Sequence, residues 1–193
     1  MRPAFAGHPI AETLLLLSLA VWFVFEGRQA LQRRTEATDS DRGSLMVLRI
    51  AIVAGVLLAA TALRLMAAPL PYNPVLFAVC LVVIWAGVGL RYWSFRSLGR
   101  YFTFTVMTSS DQPVIMTGPY RFLRHPSYLG LLLVLAGLGL SLGSWLSFAA
   151  MVLVPFAGFI NRIRVEEAAL SATLGSAYTD YARSRKRLIP FVW

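Results

Sequence analysis

The chain has 193 residues, 58% of them hydrophobic and only 14% charged, with 18 Lys and Arg against nine Asp and Glu. Soluble domains are about 45–50% apolar and about 25% charged, so disorder is excluded, and the single cysteine, Cys80, excludes an intrachain disulfide scaffold. So little polar surface also argues against a nucleic-acid binder, leaving an integral membrane protein whose positive charge lies mostly on one side of the bilayer.

A membrane-crossing helix takes roughly 20 mainly apolar residues. Five are predicted in chain order, giving an all-α integral membrane protein. The first runs from Pro9 to Phe25; Glu12 within it, and Phe25-Glu26-Gly27-Arg28 after it, point to a retained span rather than a cleaved leader. The second covers 45–68 and the third Pro74–Leu90. The fourth and fifth share one apolar block of 33 residues, Tyr128–Ile160. Leu142-Gly143-Ser144 divides that block into a short helical hairpin; a single long tilted helix is the alternative.

Alternating the spans from a cytoplasmic 26–44 segment puts 16 of the 18 cations inside, with only Arg2 and Arg64 near the outer face. The N-terminus is then outside, the C-terminus cytoplasmic, and 66–73 a short outer loop. This divides the chain into a three-span membrane region, 1–90, and a catalytic region, 91–193, that holds both long polar segments. In the first polar segment, the aromatics and arginines of 91–101 read as an interfacial belt. The alternation in 102–117 suits a short hairpin, or a loop lying on the site.

Two stretches carry candidate chemistry. In 118–130, Gly118-Pro119 forces a turn and Pro126 suits the first turn of the fourth span. His125 then stands beside Arg124 at a helix N-terminus, a place that binds anions; the competing reading is a set of interface anchors. In 161–170, Arg162 and Glu166 share a helix face at i,i+4, next to Glu167. A solvated helix with a weak ion pair is the plainer reading, but Arg162 directly follows an apolar span, where an unused charge is costly. Gly175 reads as a helix stop before a short amphipathic helix, and the apolar end 188–193 as folding back on the domain. His8 and His125 fall on opposite sides and Cys80 lies within a span, so no metal site is expected. There is no P-loop or dinucleotide fingerprint. Gly87, Gly89, Gly137 and Gly139 read as helix-packing positions.

Several segments together resemble the isoprenylcysteine carboxyl methyltransferase family in its bacterial branch, which is related to phospholipid methyltransferases. They are Leu98-Gly99-Arg100-Tyr101-Phe102, Thr117-Gly118-Pro119-Tyr120-Arg121, Arg124-His125-Pro126-Ser127-Tyr128-Leu129-Gly130, Arg162-x-x-x-Glu166-Glu167, Leu174-Gly175-x-x-Tyr178-x-x-Tyr181 and the closing Arg187-Leu-Ile-Pro190. Their order and spacing carry the likeness, over roughly 87–193.

The resemblance implies a membrane methyltransferase that uses S-adenosyl-L-methionine without a Rossmann fold, under a cytoplasmic cofactor-binding loop and C-terminal helices. Pro113, Val114, Ile115, Tyr120, His125, Pro126, Ser127 and Tyr128 would line the cofactor pocket. Glu166 would contact the cofactor and Arg162 would face the methyl acceptor, these two forming the catalytic pair. Met107 stands where some members carry a polar residue. Charge chemistry fits: Arg124 and His125 suit the cofactor's carboxylate, and Glu166 and Glu167 its cationic groups. A lipophilic, prenyl-type acceptor with a carboxylate needs no general base. If the source is bacterial, a small lipophilic acid or prenylcysteine analogue suits better than a prenylated protein. Competing readings are a phospholipid amine methyltransferase, a sterol-reductase-like enzyme with a nicotinamide cofactor, and a structural membrane protein.

Overall fold

The computed structural model describes residues 3–31, 38–65, 68–109, 112–189 and 193. Expectations that fall on Arg2, Arg33, Arg34, Met66 or Pro190 lie outside the described residues.

The helices are α1 (Pro9–Ala30), α2 (Ser44–Arg64), α3 (Pro74–Leu98), α4 (Pro126–Ser141), α5 (Trp145–Leu174) and α6 (Ser176–Ser184). Four of them, α1, α2, α3 and α5, are long and apolar enough to cross a membrane. Their outward residues are apolar, as with Leu16, Phe23, Ile50 and Val82, which suits lipid as the surrounding solvent. The chain is a multi-pass membrane protein.

The hairpin expected in 128–160 is present, with its turn at Leu142–Ser144, and no single long helix forms. Its arms are unequal. α4 has 16 residues, about 24 Å, short of the ~30 Å hydrocarbon core. α5 has 30 residues, because the polar stretch 161–174 continues the apolar helix without a break. The first and third spans are likewise longer than the apolar runs predict, to Ala30 and Leu98, and the second ends at Arg64. Hydropathy marks where side chains turn polar; backbone hydrogen bonding continues past that point.

α3 packs along α4 and α2 along α5, with α4 against α5 joining the pairs; the main neighbour of α1 is α3. Gly87 and Gly130 bring α3 and α4 together. A Cβ at Gly130 would come 2.7 Å from the Gly87 carbonyl, and one at Gly137 would come 2.8 Å from that of Cys80. Gly89 faces open space, so it is not the packing position expected of it.

Three hydrogen bonds bind the loops at one end of the bundle: Ala4 N–H to Leu142 O, Leu70 N–H to Gly143 O and Trp145 N–H to Ala68 O. At the other end, Thr38–Asp39 (β1) pairs antiparallel with Met107–Thr108 (β2), and the Ser40 N–H donates to the Val106 carbonyl at 2.8 Å. Among the described residues of 102–117, the strand pairs outside the segment and not with its own other half. Its partner is the α1–α2 connector, a long-range pairing that makes a small exception to an all-α fold.

Candidate functional site

The β1–β2 end encloses a cavity of roughly 480 Å³. Its polar wall is built from the α3–α4 connector, the start of α4, the polar extension of α5 and the α6 tyrosines. It continues into an apolar slot between Trp22, Phe23 and Ala30 of α1 and Leu45, Leu48 and Ile52 of α2.

The connector is folded by its own turn residues. Gly118 takes φ 58°, a left-handed conformation open to glycine, and Pro119 fixes the 3-10 turn Gly118–Arg121. Pro126 then opens α4, so His125 stands just before the helix start. The chain's tail clips on beside it: Arg124 N–H donates to Lys186 O and His125 N–H to Arg187 O, both at 2.9 Å.

Tyr128, in the first turn of α4, joins the two sides of the site. Its hydroxyl donates to Glu166 Oε2 at 2.5 Å and accepts from Arg162 Nε at 3.1 Å. Its ring stacks on His125 with centroids 5.5 Å apart. Arg162 and Glu166 thus share a helix face, as their spacing predicts, but a phenol bridges them instead of a direct ion pair. Glu166 also lies 3.7 Å from His125 Nδ1.

Arg162 is 2% exposed. Its Nη1 pairs with Asp41 and donates to Ser44 Oγ at 2.6 Å, and its Nη2 donates to the Phe104 carbonyl. Arg91 is equally buried and so departs from the interfacial-belt reading of 91–101, which Tyr92, Trp93, Arg96 and Arg100, all exposed, still suit. It holds the Glu26 carboxylate in a bidentate pair, with Nη2–Oε2 at 2.7 Å, and donates to the Ser127 carbonyl at 2.9 Å.

Glu167 lies about 100° further round α5, on the other ring nitrogen of His125. It takes Arg124 Nη1 at 2.8 Å, His125 Nε2 at 3.1 Å and Arg187 Nε at 2.9 Å, tying connector, helix and tail together. Of the residues singled out in the sequence, Pro113, Val114, Ile115, Tyr120, Arg124, His125, Ser127, Tyr128, Arg162 and Glu166 all line the cavity. Glu167 and Pro126 stand behind its lining.

Sequence reasoning passed over Asp41, Glu26, Arg91 and Tyr178 as site residues. The i,i+3 spacing of Tyr178 and Tyr181 was a usable signal; the two acids carried none, since each meets its arginine only through the fold. Tyr181 donates to the Tyr120 carbonyl at 2.8 Å, and burial pushes its phenol up to about 12. Burial, followed by the Glu166 charge, raises the Tyr120 phenol well above its ordinary range. Burial and the Glu167 and Glu166 carboxylates raise that of Tyr178. All three stay neutral donors across physiological pH. The Tyr178 hydroxyl and Arg124 Nε are buried with no hydrogen-bond partner among the described residues, and both residues line the cavity. Buried donors of this kind call for an acceptor.

The sequence profile of the isoprenylcysteine carboxyl methyltransferase (ICMT) family matches residues 76–172. The chain belongs to this family. It is 32% identical over 114 residues to protein-S-isoprenylcysteine O-methyltransferase A of Arabidopsis thaliana, covering 58% of each chain. It is 36% identical over 115 residues to the protein-S-isoprenylcysteine O-methyltransferase of Saccharomyces cerevisiae, covering 58% of this chain and 48% of that one. The chain therefore spans about half the length of these relatives. The solved structure of the eukaryotic intramembrane Ras methyltransferase ICMT superposes with a TM-score of 0.59 at 28% identity, over 75% of this chain and 52% of that chain. The polar wall from the Gly118 turn through Tyr128 to Glu166 falls within the matched region, and the α6 tyrosines, Tyr178 and Tyr181, fall just after it. Glu26 and Asp41 fall before it.

Proposed function

We propose that this ICMT-family protein transfers a methyl group from S-adenosyl-L-methionine to the carboxylate of a lipophilic, prenyl-type acceptor at the cytoplasmic face of the membrane. The observation that carries this reading is the continuity of one cavity from a polar chamber lined by Arg124, His125, Glu166 and Tyr178 to an apolar slot lined by α1 and α2. One end suits a charged amino-acid cofactor, the other an acyl or prenyl chain.

The residues fit the cofactor. Arg124 and Tyr178 line the chamber that would take its carboxylate, His125 stands at the helix start in the same lining, and Glu166 would supply the negative charge for its cationic groups. When bound, the cofactor supplies a methyl group already activated on a sulfonium. The protein's part is alignment and exclusion of water. Tyr120 and the 113–115 stretch close the polar end. Tyr128 fixes Glu166 and Arg162 relative to each other. Arg162, at the junction of chamber and slot, holds the acceptor carboxylate near its guanidinium and sets its direction. A carboxylate is the nucleophile as it stands, so no proton need be removed. An amine acceptor, as in phospholipid methylation, would have to lose one beside two buried cations, which disfavours that alternative.

In this reading α4 completes a five-span topology as a short, protein-shielded arm. Region 91–193 carries the cofactor chemistry, and the acceptor enters sideways from the cytoplasmic leaflet of a bacterial inner membrane. The test is binding and turnover. Purified protein is expected to bind S-adenosylhomocysteine and to methylate a prenylcysteine in a base-labile product. His125→Ala, Arg162→Ala and Glu166→Ala are each expected to lower turnover by about 100-fold or more. Full activity in all three would remove the site assignment.

A further inference from the structure

Asp41 lies in the α1–α2 connector, outside the matched family region, and is 7% exposed. One of its oxygens pairs with Arg162 Nη1, accepts from Ser44 Oγ at 3.0 Å and takes the Val106 N–H at 3.3 Å. Its other oxygen takes the Leu45 N–H at 3.1 Å. Ser44 accepts in turn from Arg162, so carboxylate, hydroxyl and guanidinium form a closed triangle. The triangle holds together three segments that are far apart in sequence: the start of α2, the strand segment of the α3–α4 connector, and α5.

We infer that Asp41 is a positioning residue and counter-charge for Arg162, so that the N-terminal half sets the strength with which the site holds an acceptor carboxylate. The inference rests on the methyl-transfer reading above. A guanidinium with no counter-ion would bind a carboxylate tightly and withdraw the lone pair that must attack. Sharing Arg162 with Asp41 weakens that hold and fixes the guanidinium plane, leaving the acceptor oxygen free to face the methyl group. A plain helix cap for α2 would use the Leu45 and Ser44 contacts alone. The buried pair with Arg162 goes beyond a cap, since a charge pair removed from water must be matched closely to persist.

The experiment uses the full chain in detergent or proteoliposomes, with N-acetyl-S-farnesylcysteine as acid probe, its methyl ester as uncharged control, and S-adenosylhomocysteine as cofactor probe. Asp41→Asn keeps the shape and removes the charge. It is expected to lower kcat about 100-fold, to bind the acid about tenfold more tightly, and to leave ester and S-adenosylhomocysteine affinities unchanged. Ser44→Ala retains both charges; it is expected to lower kcat less and leave the acid affinity as it was.

Acid binding that is no tighter in Asp41→Asn than in the unsubstituted protein overturns the inference. So does a parallel change for acid and ester, or a loss of S-adenosylhomocysteine binding in step with kcat. If Asp41→Asn does not fold, tighter acid binding in Ser44→Ala overturns the charge argument, and unchanged affinity with a lowered kcat supports it. If the unsubstituted protein binds all three probes without turnover, methyl transfer to this acid fails as a reading, and the acid–ester difference still decides the role of Asp41.

Discussion

A buried hydroxyl with no partner raises the free energy of a folded protein by about 1–3 kcal/mol, and Tyr178 places one in the wall of the chamber. Tyr178→Phe should therefore leave the ligand-free protein as stable as before, or slightly more so. If the hydroxyl serves the cofactor, the same change should weaken S-adenosylhomocysteine binding about tenfold. Thermal unfolding with and without ligand, together with calorimetric titration, reads both at once; equal affinity in the two proteins would give Tyr178 a packing role only. At this scale the sequence was informative where chemistry is local. The i,i+4 placement of Arg162 and Glu166 and the prolines around His125 follow from helix geometry and turn chemistry. What joins Arg162 to Asp41, 121 residues earlier, is tertiary contact with no local trace. Glu167, adjacent to Glu166, looked equivalent in charge, yet one residue turns a helical side chain about 100°. That rotation gives one glutamate to the cavity and the other to a clasp on the tail.

Among the elements, the closest contact is α3 against α4. Gly130→Val would drive its side chain into the Gly87 carbonyl and the Arg91 stem, at a cost of about 1–3 kcal/mol from overpacking. Gly89→Val, on the same helix as Gly87 but facing open space, should change little. The comparison is read as thermal midpoints of the two variants in one detergent. Helices were legible because apolar runs of this length have few other solutions in a membrane. Their ends were not, since α5 passes from lipid-compatible to polar sequence with no break in hydrogen bonding. The β1–β2 pairing was invisible for a different reason. Two residues on each side leave no periodicity, and the partner strand lies in another connector.

For the whole molecule, charge distribution is the strongest topological signal. The loops around 4, 68–70 and 142–145 bond to one another at one end, and the arginine-bearing segments 118–125 and 185–187 meet at the other. That separation follows from reading the spans in alternation. It predicts that, in a Cys80→Ser background, an impermeant maleimide added to intact cells labels Pro71→Cys and spares Arg183→Cys until the membrane is opened. The reverse pattern would invert the topology. Much of the polar wall was readable because it comes from two compact stretches, 113–128 and 162–166; Tyr178, beyond them, was not read as a site residue. The N-terminal share of the site was not, because the two acids that complete it lie on elements with no local motif.

The way α1 attaches to the bundle has a consequence for biosynthesis. α1 is made before α3, yet α3 is its main neighbour, and Glu26, which accepts from the Trp22 indole within α1, meets its counter-charge in Arg91, 65 residues later. At about 5–20 residues per second, the interval is roughly 3–13 s. During that time the Glu26 carboxylate has the Trp22 indole N–H but not the Arg91 charge, and a carboxylate lacking that counter-charge stays at the aqueous edge of the bilayer. Assembly therefore closes the cavity from its apolar side only after the third helix has emerged, so an arrest of translation between α2 and α3 would leave the apolar slot unformed.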